Sequence, residues 1–157
     1  IEVKPGLPIG QFRQIVVVTT NQDANTAQSI NVTGNVASDI LLAGPRVDSA
    51  EMLVGLGTVQ SSAAARHTVY LRVKGPHRDQ TQIRIASVEP ATEFSATLGE
   101  PNRENPKVVL YPLTIEVPAR ARPVNHMFES AYAKIHLATT HPDVKELTIN
   151  VRYMVRE

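Results

Sequence analysis

Residues 147–155 read Leu147-Thr148-Ile149-Asn150-Val151-Arg152-Tyr153-Met154-Val155, so that apolar side chains alternate with mostly polar ones. Successive side chains of a β-strand point to opposite faces, and this stretch therefore predicts a strand with an apolar inner face. The same period of two recurs at residues 69–74, 83–85 and 113–117. β-branched residues dominate these stretches, and they suit the pleated surface of a sheet.

Turn-forming residues separate the strand-like stretches, at residues 74–76, 99–101, 104–106 and 141–143. Short strands at this spacing predict an all-β chain folded as an antiparallel immunoglobulin-like β-sandwich. No segment has a convincing helical pattern, and residues 61–66 are predicted to be a loop before a strand at Thr68–Lys74. Pro112 predicts a sheet edge or a bulge, because proline has no N–H to donate to a neighbouring strand.

The composition bounds the function without selecting one. The 157 residues are enough for one ordinary domain, and 16 Lys+Arg against 15 Asp+Glu leave a net charge of +1. A dedicated nucleic-acid binder needs a concentrated basic field, so no nucleic-acid partner is predicted. The absence of cysteine excludes disulfides, thiolate metal sites and cysteine nucleophiles. The longest apolar runs have the length of a strand, so no membrane span is expected.

An internal repeat is the most informative feature of the chain. Residues 15–36 and 135–155 share a strand ending in a Thr-Thr pair, a turn containing aspartate, and a returning strand with the sequence Ile-Asn-Val. The two copies differ by one residue in length. Each predicts a β-hairpin with a longer loop.

The repeat predicts the domain organisation. Residues 1–37 are expected to form the closing β-hairpin of a preceding repeat, or extra strands packed on the main domain, and residues 38–157 to form one whole sandwich. A lone hairpin is marginally stable in water, so residues 1–37 need a sheet to pack on. The chain begins at Ile1 and carries no apolar leader, which favours a fragment or processed form of a longer protein.

Two motifs resemble a known family. Thr139-Thr140-His141-Pro142-Asp143, followed by Leu147-Thr148-Ile149-Asn150-Val151, is similar to the end of a bacterial immunoglobulin-like domain family of unknown function, akin to Hydin-type and major-sperm-protein-type sandwiches. Gly57-Thr58-Val59 and Leu110-Tyr111-Pro112-Leu113-Thr114-Ile115 resemble its opening and middle strands. The resemblance covers about residues 38–157. It implies a secreted or periplasmic (cell-envelope) protein with tandem sandwiches and no established catalysis, and it assigns no functional residues.

No residue pattern predicts catalysis, a cofactor or a bound metal. The nearest metal-like set is His136, His141 and Asp143, for which we expect solvated surface histidines instead. Nothing singles out a facing carboxylate pair among Glu89, Glu93, Glu100 and Glu116. Gly55-Leu56-Gly57 is expected to be a turn.

Two arginines and one tyrosine are the candidate ligand contacts. Arg120 and Arg122 fall in a loop that is expected to be solvated, although guanidinium groups there suit an acidic partner such as a sulfated or carboxylated glycan. Among the four tyrosines, Tyr70 is predicted to face outward, where a sugar ring can stack. The other three are Tyr111, Tyr132 and Tyr153.

The leading hypothesis is a non-enzymatic structural or protein-interaction module of a larger secreted or envelope protein. Residues 15–18 and 147–155 are predicted to offer uncovered strand edges, so the expected partners are neighbouring repeats or another chain, a homodimer included. The alternative is a carbohydrate-binding or accessory module of an extracellular hydrolase.

Overall fold

The computed structural model describes residues 10–20 and 23–157. Within these ranges the chain is almost entirely β-structure, which confirms the predicted class. It divides into two compact units, Ile1–Ser38 and Asp39–Glu157, one residue from the boundary expected from the repeat.

The first unit is a two-stranded antiparallel hairpin. Strand β1 covers Gly10–Thr20 and strand β2 covers Asp23–Val36. Val16 lies opposite Ile30 and Ile15 lies opposite Asn31. Residues 21 and 22, the turn residues in which the first repeat copy differs from the second, lie outside the described part of the chain.

The second unit is a sandwich of two sheets. One sheet has the order β4-β5-β12-β11-β7, with β10 also paired to β12, and the other has the order β3-β6-β9-β8. Its strands are β3 (Ile40–Ala43), β4 (Val47–Asp48), β5 (Leu53–Gln60), β6 (Ala65–Val73), β7 (Ile83–Glu89), β8 (Ser95–Leu98), β9 (Val109–Val117), β10 (Val124–His126), β11 (Ala133–Thr139) and β12 (Glu146–Arg156). A single 3-10 turn at Glu129–Ala131 precedes β11.

The alternation read from the sequence produces the core. On β12, the side chains of Ile149, Val151, Tyr153 and Val155 are buried, while Arg152 on the opposite face is exposed. Residues of both sheets join one hydrophobic cluster, because each sheet presents its apolar face to the other. The two sheets therefore bury their inner faces against each other.

Strand β5 corrects the expectation of a turn at Gly55-Leu56-Gly57. These residues lie inside the strand, which pairs in parallel with β12 and contains a bulge at Leu56. Gly57 takes a left-handed φ of 74° there, a conformation that glycine adopts without steric cost. The bulge changes the alternation of the strand, so that Leu56 and Val59, three residues apart, both face the core.

Pro112 also departs from the prediction, because it lies within the central strand β9 rather than at an edge or bulge. The Pro112 carbonyl accepts a hydrogen bond from Gly99 N–H at 2.8 Å, just beyond the end of β8. The N and C=O of one strand residue face the same neighbour, so the missing N–H lies where β8 has ended and leaves the pairing with β6 intact. A Cβ on Gly99 would lie 2.9 Å from Pro112 Cγ, so glycine makes this approach possible.

The prediction of an uncovered edge at residues 147–155 is wrong. Strand β12 is central, with β5 on one side and β11 and β10 on the other. The edges of the sandwich sheets are β3, β4, β7, β8 and the short strand β10 instead.

Candidate functional site

The hairpin β1–β2 carries most of the exposed apolar surface of the described residues. Of the seven large hydrophobic side chains that are exposed, five belong to it: Ile15, Val16, Val17, Val18 and Ile30. Residues opposite each other in an antiparallel pair share a face. The register therefore places Phe12, Val16, Val18, Ile30 and Val32 on one face, which we call the hairpin face.

In the equivalent hairpin of the sandwich, β11–β12, the apolar side chains are covered. Ile135 and Leu137 of β11 and Ile149 of β12 are almost completely buried. Their cover includes the inner face of the sheet β3-β6-β9-β8. Ile15 is the repeat equivalent of Ile135, and its side chain is 61% exposed. The same sequence pattern is thus covered in one hairpin and exposed in the other.

The two hairpins also differ in register. Ile135 lies opposite Ile149 in the sandwich, whereas Ile30, the equivalent of Ile149, lies opposite Val16. The one-residue length difference between the repeat copies accounts for this offset. Strand β1 presents apolar groups on both of its faces, because the consecutive residues 15–18 are all apolar and successive side chains alternate between faces.

A second feature is a polar cluster at Glu93, His126 and Tyr153. His126 Nε2 lies 2.6 Å from Glu93 Oε2, and His126 Nδ1 lies 2.5 Å from the Ala131 carbonyl oxygen. Both partners offer acceptor oxygens, to which a ring protonated on both nitrogens would donate. The pair is partly buried, with side-chain exposures of 16% for His126 and 28% for Glu93.

Tyr153 lies beneath this ion pair. Its hydroxyl donates to Glu93 Oε2 at 3.4 Å, and its ring packs 5.0 Å from that of His126 and 6.0 Å from that of Phe94. Burial, followed by the charge of the Glu93 carboxylate, raises the pKa of the Tyr153 phenol above its ordinary value. The cluster thereby joins the central strand β12 to β10 and to the segment before β8.

A cleft of about 560 Å³ opens beside Glu93. Its other walls are Thr92 and the loop of residues 118–124, which contains Arg120 and Arg122. Both arginines are exposed, and neither guanidinium forms an ion pair or hydrogen bond within the described residues. This cleft therefore combines two available cations with a carboxylate that is already paired.

A further cleft of about 610 Å³ lies over Gly55 and Gly57 of strand β5, on the outer face of the sheet β4-β5-β12-β11-β7. Arg46 and Arg152 line it, but Arg46 Nη1 donates to the Leu56 carbonyl at 3.0 Å. One of its two cations is thus held by the backbone of β5.

His141 is not the solvated surface histidine that was expected. It lies in the turn between β11 and β12, as predicted, but its side chain is only 1% exposed. The Asp143 N–H donates to its Nδ1, so the neutral ring carries its proton on Nε2, directed towards Asp39 Oδ2 at 3.5 Å. The ring therefore connects this turn to the residue before β3.

The set His136, His141 and Asp143 does not form a metal site. His136 bonds to Thr148 and lies 3.6 Å from Glu89, while His141 faces Asp39. Across residues 10–20 and 23–157, no group of three or more His, Asp or Glu residues is arranged to hold a metal ion.

The tyrosines divide as the alternation predicts. Tyr70 is 41% exposed on β6, whereas Tyr111 and Tyr153 are buried. Sequence reasoning missed the roles of Glu93 and His126. These residues are separated by 33 positions and follow no local motif, so only the fold brings them together.

Comparison with protein-family models gives no match for this chain, and a search of curated proteins finds no similar sequence. The resemblance to a bacterial immunoglobulin-like family therefore stays a prediction. In the described residues, no helix has the length and apolar character needed to cross a membrane.

Proposed function

We propose that this protein is a non-enzymatic structural or protein-interaction module of a larger secreted or envelope protein, and that the hairpin face is its docking element. The observation that carries this proposal is the exposure of a hairpin whose repeat equivalent is buried. The occupant we propose is the hairpin face of a second copy of the chain, since the inner faces of the two sandwich sheets already cover each other.

The sandwich shows which kind of surface covers such a hairpin. The hairpin β11–β12 is covered in part by the sheet β3-β6-β9-β8, whose inner face is aliphatic. The hairpin face is also mainly aliphatic at its centre, with Gln14 and Gln28 on the same face. The ring of Phe12 lies over Gly34, where a Cβ would be 2.5 Å from Phe12 Cε1. Burial of apolar surface is non-directional and proportional to area, so a second hairpin face is a complementary surface.

The edges of the sandwich give less support to assembly by strand addition there. Strands β3 and β8 have 4 residues each and β4 has 2. Strand β7 contains an irregularity in its pairing with β11, at Ala86. Short and bulged edges are a usual protection against unwanted strand pairing. By contrast, β1 and β2 have 11 and 14 residues.

Charged substitutions on the hairpin face test this function. In solutions of the chain alone, other copies supply further exposed hairpin faces, so we expect the chain to associate as its concentration rises. The double variant Val16→Lys/Ile30→Lys should abolish association, because docking would bury two ammonium groups. Sedimentation velocity of both proteins across a concentration series measures the effect.

The matched control is Ser87→Lys/Thr97→Lys, which adds the same charge at exposed positions on the edge strands β7 and β8. We expect this control to associate as the unmodified chain does. If the control lost association and the hairpin variant kept it, the interaction would involve the sandwich edges, and the proposal would be overturned.

A further inference from the structure

We propose that the cleft formed by Glu93, Arg120 and Arg122 binds a carboxylate-bearing oligosaccharide, that is, a chain of uronic acid sugars. This site involves no residue of the hairpin and is independent of the function proposed above. Its argument depends on three observations: two unpaired cations, a constrained loop and an available acceptor.

The two arginines supply the recognition of a carboxylate. Within the described chain their guanidinium groups have no acidic partner, although a planar guanidinium matches a carboxylate through two parallel hydrogen bonds. By comparison, the exposed Arg66 is already paired with a carboxylate, since its Nε and Nη2 both donate to Glu116 Oε2. The cleft arginines retain this capacity for a ligand.

The loop that carries them is held in place. Pro118 and Pro123 restrict its backbone near both ends, and Arg120 N–H donates to the Ser61 carbonyl at 2.7 Å. Ala121, between the two arginines, packs against the core. Arg120 also has a left-handed φ of 62°, which is uncommon for a residue other than glycine and recurs at ligand sites. A preorganised loop loses little conformational entropy on binding.

Glu93 distinguishes a sugar from an acidic peptide. Its Oε2 accepts from His126 and Tyr153, whereas Oε1 has no hydrogen-bond partner among the described residues. A free carboxylate oxygen accepts hydrogen bonds from sugar hydroxyls, whereas the ionised side chains of an acidic peptide offer it no donor. Prolines, alanines and Val124 supply apolar walls for the C–H faces of the sugar rings. The volume of about 560 Å³ is in the usual range for a small-ligand site.

The test is calorimetric titration of the full chain with tetragalacturonic acid, at an ionic strength of about 0.15 M to screen non-specific attraction. We expect saturable binding that weakens at least about tenfold in Arg120→Ala/Arg122→Ala, the loss typical of charged hydrogen bonds. The control Arg72→Ala/Arg84→Ala removes two exposed arginines outside the cleft and should bind as the unmodified chain does. Thermal unfolding of each variant verifies that its fold is intact.

Two further probes fix the ligand class. The methyl-esterified tetramer keeps the hydroxyls but has no charge, and we expect it to bind at least about tenfold more weakly. Tetraglutamate keeps the charge without the sugar hydroxyls and should also bind more weakly. No binding of tetragalacturonic acid, an equal loss in the control variant, or equal binding of tetraglutamate would overturn this inference. None of these results depends on association through the hairpin.

Discussion

The repeat offers a matched pair of substitutions, Ile135→Ala and Ile15→Ala, at equivalent positions of the two hairpins. Each removes three carbons, worth about 0.8 kcal/mol apiece when buried. Ile135 has no exposed surface, so its loss also leaves a cavity, and the free energy of unfolding should fall by about 2–5 kcal/mol. Ile15 is 61% exposed, so only roughly two-fifths of that transfer energy is gained on folding, at most about 1 kcal/mol. Its loss should destabilise the hairpin alone.

Urea unfolding, followed by circular dichroism at a protein concentration where the chain is monomeric, measures both values. The main transition reports the sandwich, so Ile15→Ala should shift it by less than about 0.5 kcal/mol. Equal losses at both positions would show that Ile15 is buried in the monomer, which would contradict the exposure of the hairpin on which the proposed function rests.

Three further predictions concern the sandwich. The pKa of Tyr153 is raised above 10.0, so the unfolded chain loses the phenolic proton first; the contribution of this group to stability should be constant below about pH 10 and fall above it by up to about 1.4 kcal/mol per pH unit. Urea unfolding above pH 10 should show a smaller loss in Tyr153→Phe. Glu93→Gln should cost about 1–3 kcal/mol, and a double-mutant cycle with His126→Gln should give a coupling of about 1 kcal/mol, whereas additive losses would exclude the ion pair. Gly57→Ala should lower the melting temperature more than Gly55→Ala, because Gly57 has a left-handed φ and Gly55 does not, and this conformation costs other residues about 1–2 kcal/mol. Equal shifts in melting temperature would contradict a conformational role for Gly57.

Alternation predicted the fold because it is a local property. The buried face of β12 and the outward position of Tyr70 follow from a period of two, without knowledge of the neighbouring strands. Strand order is not local, and this is where prediction failed. The apolar pattern of residues 147–155 does not reveal that β5 pairs with them in parallel, so a central strand was expected to be an edge.

Prediction of the site residues failed for the same reason. Pairing of Glu93 with His126 depends on the tertiary contact of β10 and the segment before β8 with Tyr153, and no residue spacing in the sequence predicts that contact. His141 lies in the turn that was predicted, but its burial depends on Asp39 and His77, which lie far away in the sequence. By contrast, Arg120 and Arg122, two positions apart in one loop, could be identified from local sequence.

Light scattering across a concentration series tests most directly whether the hairpin face takes its cover from a second copy of the chain. The chain has a mass of 17.2 kDa. We predict that the measured mass rises with concentration towards twice this value, as the hairpin faces of two copies pack together. A mass that stays at that of one chain over the whole range would contradict the account.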